Sequence, residues 1–321
     1  MGISSDWPRI FAGENANANF ATPDAVPNNI RSVFIDGQIR LMQSFVKQGI
    51  SWREFVDYMF ISHIQKQHLK YDTVVLAFDN YDSVPLYKSI EQQRRSSVNK
   101  KIFKFETGQE LPAKPPPQDI WVLALQNRIF KKTVISIICN LIASNYKPKN
   151  NHKTLIIDFI NVIRIEYTII NGTVTLKRDT VQNMAAMGES DVKFMRYTDM
   201  IGNMVVDSID SDVLLISMLY AQVDNFRKKV YIRRYKVSDP QKDVAIENGK
   251  RKRTVKKKEY EIIDVNQMTK TLHDCVREAV GNEITIEPGK MTYMLVFIFL
   301  LAGVNVFPFC ILQSRISFSN I

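Results

Sequence analysis

Acidic residues close several of the apolar runs in this chain. Asp36 follows Val33-Phe34-Ile35, and Asp79 follows Val74-Val75-Leu76-Ala77-Phe78. Glu189 and Asp191 stand in Gly188-Glu189-Ser190-Asp191-Val192-Lys193-Phe194, and Asp210 and Asp212 in Asp207-Ser208-Ile209-Asp210-Ser211-Asp212-Val213. One Asp after one strand is commonly a turn or helix-capping residue. The joint pattern says more. Ligands of open α/β sheets bind beyond the carboxyl ends of the strands, so these ends can bring the six carboxylates round one crevice. Two carboxylates ~4 Å apart repel by about 4 kcal/mol at an effective dielectric near 20. A crowd of them needs bound cations or strongly raised pKa values. Carboxylate oxygens are hard ligands, which points to Mg²⁺ or Mn²⁺. Two such ions, about 3.5–4 Å apart, activate water and stabilise the leaving oxygen in phosphodiester hydrolysis.

Cations accompany the acids. Lys88, Gln92 and Arg95 fall at i, i+4 and i+7 in a Lys/Arg/Gln-rich stretch of helical character, Tyr87 to Lys101. On a helix they share one face, which can grip a phosphate through charge-assisted hydrogen bonds. A plain solvated face is the competing reading. The formal charge of +10 is concentrated: from Arg227 to Lys258 there are 14 Lys/Arg and 3 Asp/Glu, so the remainder of the chain is near neutral. Within this segment Lys250, Arg251, Lys252 and Arg253, with Lys256-Lys257-Lys258, form a polyanion-binding candidate, a nuclear import signal or an exposed charged loop. Tyr81 and Tyr87 could stack on unpaired bases or simply pack.

Positioning these groups requires an alternation of strands and helices. Val33–Ile35 and Thr73–Phe78 read as buried strands, and Trp52 to Leu69 as a helix with Phe55, Met59, Phe60 and Ile64 at helical spacing. Residues 15–29 read as a loop and Lys114-Pro115-Pro116-Pro117 as a break. Val122 to Ile142 suits one long amphipathic helix. Leu155 to Ile169 and Thr173 to Lys177 read as strands joined through the hairpin turn Asn171-Gly172. Val205-Val206 and Val213 to Ser217 flank the acidic cluster, and Val230–Ile232 and Tyr260–Val265 bracket the basic tract as further strands. No internal repeat is present. The pattern predicts an α/β protein with a mainly parallel central sheet covered on both faces.

Composition removes other classes. The chain has 321 residues, 45% hydrophobic and 24% charged, which fits a folded protein of one large domain or two small ones. Three widely spaced cysteines (Cys139, Cys275, Cys310) and four histidines without an HExxH pattern argue against a disulfide scaffold and a zinc enzyme. The start lacks the apolar core of a signal peptide and fails the myristoylation pattern at Asp6. Tyr293–Leu312 is long and apolar enough to span a membrane, but Gly303, Asn305 and Pro308 interrupt it. A buried helix followed by a turn is the preferred reading, with no membrane partner.

Taken together, Met1-Gly2-Ile3, Phe34-Ile35-Asp36-Gly37, Ala77-Phe78-Asp79-Asn80, Pro85-Leu86-Tyr87-Lys88 with Gln92-Gln93-Arg94-Arg95, Gly188–Lys193, Asp210-Ser211-Asp212 and Gly303-Val304-Asn305 resemble the ordered motifs of the 5′-nuclease superfamily. That group contains the flap endonuclease/XPG enzymes and the Xrn-type 5′→3′ exoribonucleases. The resemblance runs in short blocks from residue 1 to about residue 310.

The likeness implies a PIN-like fold over residues 1–321 as a single nuclease domain, with a helical arch-type insert at about 84–150 and a basic excursion at about 236–259. It implies Mg²⁺ or Mn²⁺ as cofactor, in two sites held by Asp36, Asp79, Glu189, Asp191, Asp210 and Asp212. Asn305 stands where a metal-binding Asp belongs, and an Asn brings no charge, which weakens the second site. Lys88 and Arg95 would act on the scissile phosphate beside Asp210. Gly2, Lys88, Gln92, Arg95 and the basic Lys250–Arg253 run would bind substrate: DNA flaps or 5′-phosphorylated DNA or RNA, cut from a free 5′ end. The Lys-Gln-Arg block and late motif lean towards the Xrn branch, the modest size towards flap endonucleases. The resemblance ends before the duplex-gripping module that follows the nuclease core in flap endonucleases, which implies a minimal, divergent or truncated member. Such a pared-down enzyme would suit a large DNA virus, working in the nucleus or cytoplasm. The competing expectation is a nucleic-acid-binding or scaffolding protein on the same fold, with catalysis weakened or lost.

Overall fold

The computed structural model describes residues 21–22, 26–80, 103–170, 173–181, 189–208, 211–223, 225–235, 244–247, 250–253, 260–280, 287 and 290–294. The chain divides into two compact units, one of residues 29–201 and one that joins residues 1–28 to 202–321. Strand β1 (Ala21–Thr22) belongs to the second of these.

In the unit of residues 29–201, β2 (Ser32–Asp36), β3 (Thr73–Ala77) and β4 (Lys153–Asp158) pair in parallel. Their register sets Asp36 beside Ala77 and Ala77 beside Asp158, so the three carboxyl ends are level. Strands β5 (Val162–Ile170) and β6 (Thr173–Val181) then extend the sheet in antiparallel fashion. Ile170 pairs with Thr173, as a hairpin turned at Asn171-Gly172 requires, although those two residues lie outside the described ones. Val33, Val74, Val75, Ala77 and Leu155 are all fully buried, as parallel strands covered by helices must be.

Helix α1 (Gly37–Met42) leaves β2 directly, and both α1 and the later α6 (Ser190–Ile201) pack on β2. The stretch expected as one helix at 52–69 is helical throughout, in three pieces: α2 (Trp52–Val56), a π-helical turn (Asp57–Ile61) and α3 (Ser62–His68). Ser51 and Glu54 form a capping box at its start. The π turn widens the hydrogen-bond ladder, and Arg40 donates from both Nε and a terminal nitrogen to the Met59 carbonyl, at 3.0 and 2.9 Å.

The single helix expected at Val122–Ile142 is two helices, α4 (Gln118–Gln126) and α5 (Arg128–Asn145). Asn127 breaks them, because its side chain accepts from the Phe130 amide and caps α5. These helices fall within the span assigned to an arch. They carry Trp121, Phe130, Val134 and Ile138, all fully buried, and Trp121 lies against Trp52 and Phe55. The portion 84–102 lies outside the described residues. The strand expected at Leu155–Ile169 is likewise two: β4 ends at Asp158 and the chain reverses before Val162.

His68 sits inside this unit. Its Nε2–H donates to the Thr154 carbonyl and its Nδ1 accepts from the Tyr146 hydroxyl, which fixes the neutral ring. Burial, followed by the positive charge of Lys153 and against the opposing charge of Asp72, holds its pKa down at about 4. An unfolded histidine titrates near 6.5. The depressed value means that this contribution is complete above pH ~6.5 and is lost as pH falls to ~4, a change of roughly 3 kcal/mol. Urea midpoints taken at pH 7.5 and 4.5 should therefore diverge more in the wild type than in His68→Phe.

In the other unit, β7 (Met204–Asp207) pairs in parallel with β8 (Val230–Tyr235), and β11 (Tyr260–Asp264) pairs antiparallel with β8 and with β1. Helices α7 (Ser211–Val223) and α8 (Val265–Val280) pack on each other and on β8. Val213–Ser217, expected as a strand, is therefore part of α7, whose length accommodates the apolar run that a strand of four to eight residues would also explain. The basic excursion leaves β8 at Tyr235 and returns at Tyr260, two directly paired residues. Inside it, β9 (Val244–Glu247) and β10 (Lys250–Arg253) form a two-stranded antiparallel ribbon. The Lys250–Arg253 run is thus a strand and not a loop.

The architecture is α/β in both units: each combines parallel strand pairs with antiparallel ones, and helices pack on the strands. No helix among the described residues is long and apolar enough to cross a membrane. Most of Tyr293–Leu312, from residue 295 on, lies outside the described residues.

Candidate functional site

The unit of residues 29–201 brings two of the sequence-selected carboxylates onto one hydroxyl. Ser190, the first residue of α6, places its Oγ 3.2 Å from Asp36 Oδ1 and 3.0 Å from Asp79 Oδ1, and its amide donates to Asp79 Oδ1 at 3.0 Å. Asp36 is the last residue of β2 and Asp79 lies just past the end of β3, so adjacent parallel strands deliver both. Glu189 immediately precedes α6 and Asp191 is its second residue. Their Glu189 Oε1 and Asp191 Oδ1 atoms are shut off from solvent.

Asp36 also accepts from the Ile39 amide at 3.0 Å and caps α1. Burial pushes its carboxyl up to about 7, the Asp79 and Asp191 charges push the same way, and the bonds from Ile39 and Ser190 oppose them. Asp36 therefore lies in the field of both Asp79 and Asp191. A half-buried lysine, Lys131 on α5, lies in the same field: burial lowers its pKa and the Asp79 charge opposes that shift.

Gly37 makes the approach of β2 to β3 possible. A Cβ on Gly37 would lie 2.7 Å from Phe78 Cε1 and 2.8 Å from the Ala77 carbonyl oxygen. A backbone carbonyl cannot rotate away, so Gly37→Ala is expected to cost about 1–3 kcal/mol through overpacking. Chemical denaturation of the variant checks this.

A second carboxylate centre lies alongside, and the sequence reading missed it. Asp158, at the end of β4, accepts from Lys193 Nζ at 2.6 Å and from the Tyr197 hydroxyl at 2.8 Å. Lys193 Nζ also donates to the Phe78 carbonyl at 2.7 Å. Both charged side chains are 1% exposed. Burial raises the Asp158 pKa, and the Lys193 charge holds it back. The signal was present: Leu155-Ile156-Ile157-Asp158 repeats the apolar-run-then-Asp pattern of the two strands beside it. Reading 155–169 as one strand hid the acid in its interior. Nothing in Phe159-Ile160-Asn161 carries the Gly or Pro that usually betrays a reversal.

The remaining expected site residues divide as follows. Gly2, Lys88, Gln92, Arg95, Asp210 and Asn305, with Tyr81 and Tyr87, lie outside the described residues. The backbone of Asp212 lies in α7 and that of Lys250–Arg253 in β10, both in the other unit. That unit does show Asp207 at the end of β7, ion-paired with Arg233 at 2.6 Å. Among the described residues, no three His, Cys, Asp or Glu side chains form a group able to hold a metal ion. The donor set at the Ser190 junction nonetheless consists of carboxylate and hydroxyl oxygens, the chemistry that Mg²⁺ and Mn²⁺ take. Against family models, and against curated proteins, the chain finds no match.

Proposed function

We propose that the chain is a divalent-metal-dependent nuclease acting on DNA or RNA with a free 5′ end. The observation that carries this reading is the meeting of Asp36 and Asp79 at Ser190, where two parallel strands end at the N-terminus of α6. The resemblance expects its first two acidic motifs to meet the block at Gly188–Lys193, and this junction supports that reading. Asp36 and Asp79 would hold the cation, and the resemblance implies Glu189, Asp191, Asp210 and Asp212 as its further ligands. The ion would supply activation of water and stabilisation of charge on the phosphodiester. The chain's own contributions follow from its chemistry. Asp36 and Asp79 would hold the cation at the carboxyl ends of β2 and β3. Ser190 ties both acids to α6. Lys131 offers a positive charge near Asp79, and Lys88 and Arg95 would neutralise the phosphate. The basic ribbon would add affinity that is sequence-independent and falls with salt.

A specific observation favours the competing reading, a non-catalytic nucleic-acid-binding protein on the same fold. Asp36 caps α1 and Asp79 accepts from the first amide of α6. These are structural tasks that need no cation. The two readings separate in one assay. Purified full chain is incubated with 5′-phosphorylated RNA and with 5′-flap DNA, in Mg²⁺, in Mn²⁺ and in EDTA. Metal-dependent cutting of either substrate supports the nuclease. Binding of both without cutting of either supports the binding protein.

A further inference from the structure

A buried ion pair stands beside the acidic junction without belonging to it. Lys193 and Tyr197 are one turn apart on α6, so they share a face. They grasp the two oxygens of Asp158 separately, Lys193 on Oδ1 and Tyr197 on Oδ2. The lysine's second bond goes to the carbonyl of Phe78, the residue immediately before Asp79. Phe78 is in turn held to β4, because its amide donates to the Asp158 carbonyl at 2.8 Å. The exits of β3 and β4 and the first turns of α6 thus form one closed set of hydrogen bonds. Ser190, one turn before Lys193, is the residue that reaches Asp79 and Asp36.

Stability alone accounts poorly for this pair. Removing two charges from water costs several kcal/mol per ion, and apolar replacements of such pairs are often neutral or stabilising. What an apolar pair could not supply is direction: a donor that must point at one carbonyl and one carboxylate fixes the rotation and the height of its helix. A set of this kind around metal-binding groups typically tunes affinity 10–100-fold.

We propose that Lys193 is a positioning residue: held by Asp158 and by the Phe78 carbonyl, it sets the acidic first turn of α6 against Asp36 and Asp79. The metal-binding part of this inference rests on the function proposed above. The placement of the turn does not.

The test uses the full chain and the double variant Asp158→Asn/Lys193→Met, which removes both charges and leaves no buried charge unpaired. Three quantities are read: thermal unfolding, Mn²⁺ affinity by electron paramagnetic resonance, and hydrogen exchange of the peptide that includes the Ser190 amide. The double variant is expected to melt near the wild type, to bind Mn²⁺ at least tenfold more weakly, and to exchange at Ser190 at least tenfold faster. Mn²⁺ affinity and Ser190 exchange both within twofold of wild type would overturn the proposal. If the wild type binds no Mn²⁺ yet the variant exchanges faster at Ser190, the metal reading fails and the positioning role stands. If neither binding nor a change in exchange is seen, both fail. Should the double variant not fold, Tyr197→Phe is read instead, since it keeps both charges and removes only the bond to Asp158 Oδ2. Several-fold faster exchange at Ser190 then upholds the clamp, and unchanged exchange overturns it.

Discussion

If the proposed nuclease function holds, Asp36→Asn is expected to slow metal-dependent cleavage about a thousandfold while leaving the protein at least as stable as before. The substitution keeps an oxygen at the helix cap, so the bond from the Ile39 amide survives. What disappears is a negative charge whose site is 4% exposed and which lies in the field of Asp79 and Asp191. A ligand charge facing a catalytic cation is worth several kcal/mol in the transition state. Each 1.36 kcal/mol is tenfold in rate, so a loss of about a thousandfold is expected. Folding, by contrast, is relieved of a buried charge that both desolvation and like-charge repulsion oppose. The two effects have opposite signs. Single-turnover cleavage and thermal unfolding on the same preparation check them. A purely structural Asp36 would leave cleavage unchanged, since the cap survives the substitution.

Trp121→Ala is expected to destabilise the protein by about 3–5 kcal/mol, the range for a large aromatic removed from a core. Trp121 is completely buried, rests against Trp52, Phe55 and Phe130, and donates from Nε1 to the Ser44 hydroxyl at 2.9 Å. Truncation leaves a cavity and an unsatisfied partner together. Against a typical total stability of about 5–15 kcal/mol, this is a large fraction. Urea unfolding measures it. The result also bears on the expected arch: an indole on a projecting insert would tolerate the change, whereas one that closes the core under α2 would not.

The parallel strands of the first unit were legible because buried strands leave short unbroken apolar runs bounded by polar residues. Val33–Ile35 and Thr73–Phe78 are of this kind, and the acid that ends each run marked where the sheet opens. Two other features hid. The break between α4 and α5 depends on a single capping side chain, Asn127, amid an apolar period that continues through it. The reversal between β4 and β5 passes through Phe159 and Ile160, residues that look like more strand. Of the candidate site, the acids Asp36 and Asp79 were visible from pattern. Ser190, which joins them, occupies the variable position between two acids, where its type carries no pattern. Lys193 and Asp158 lie 35 positions apart, and their pairing is a product of tertiary packing. Val213–Ser217 shows the ambiguity in reverse: five apolar-rich residues fit either element, and only the length of α7 decides.

The pairing of Tyr235 with Tyr260 has a consequence for how this chain can change over time. Everything between them enters and leaves through two neighbouring positions of an antiparallel ladder, the junction at which a two-residue turn would serve equally well. The positively charged ribbon is therefore a detachable module. It can be lengthened, trimmed, recharged or lost without altering the register of β8 and β11, so the charge it carries is free to evolve separately from the frame.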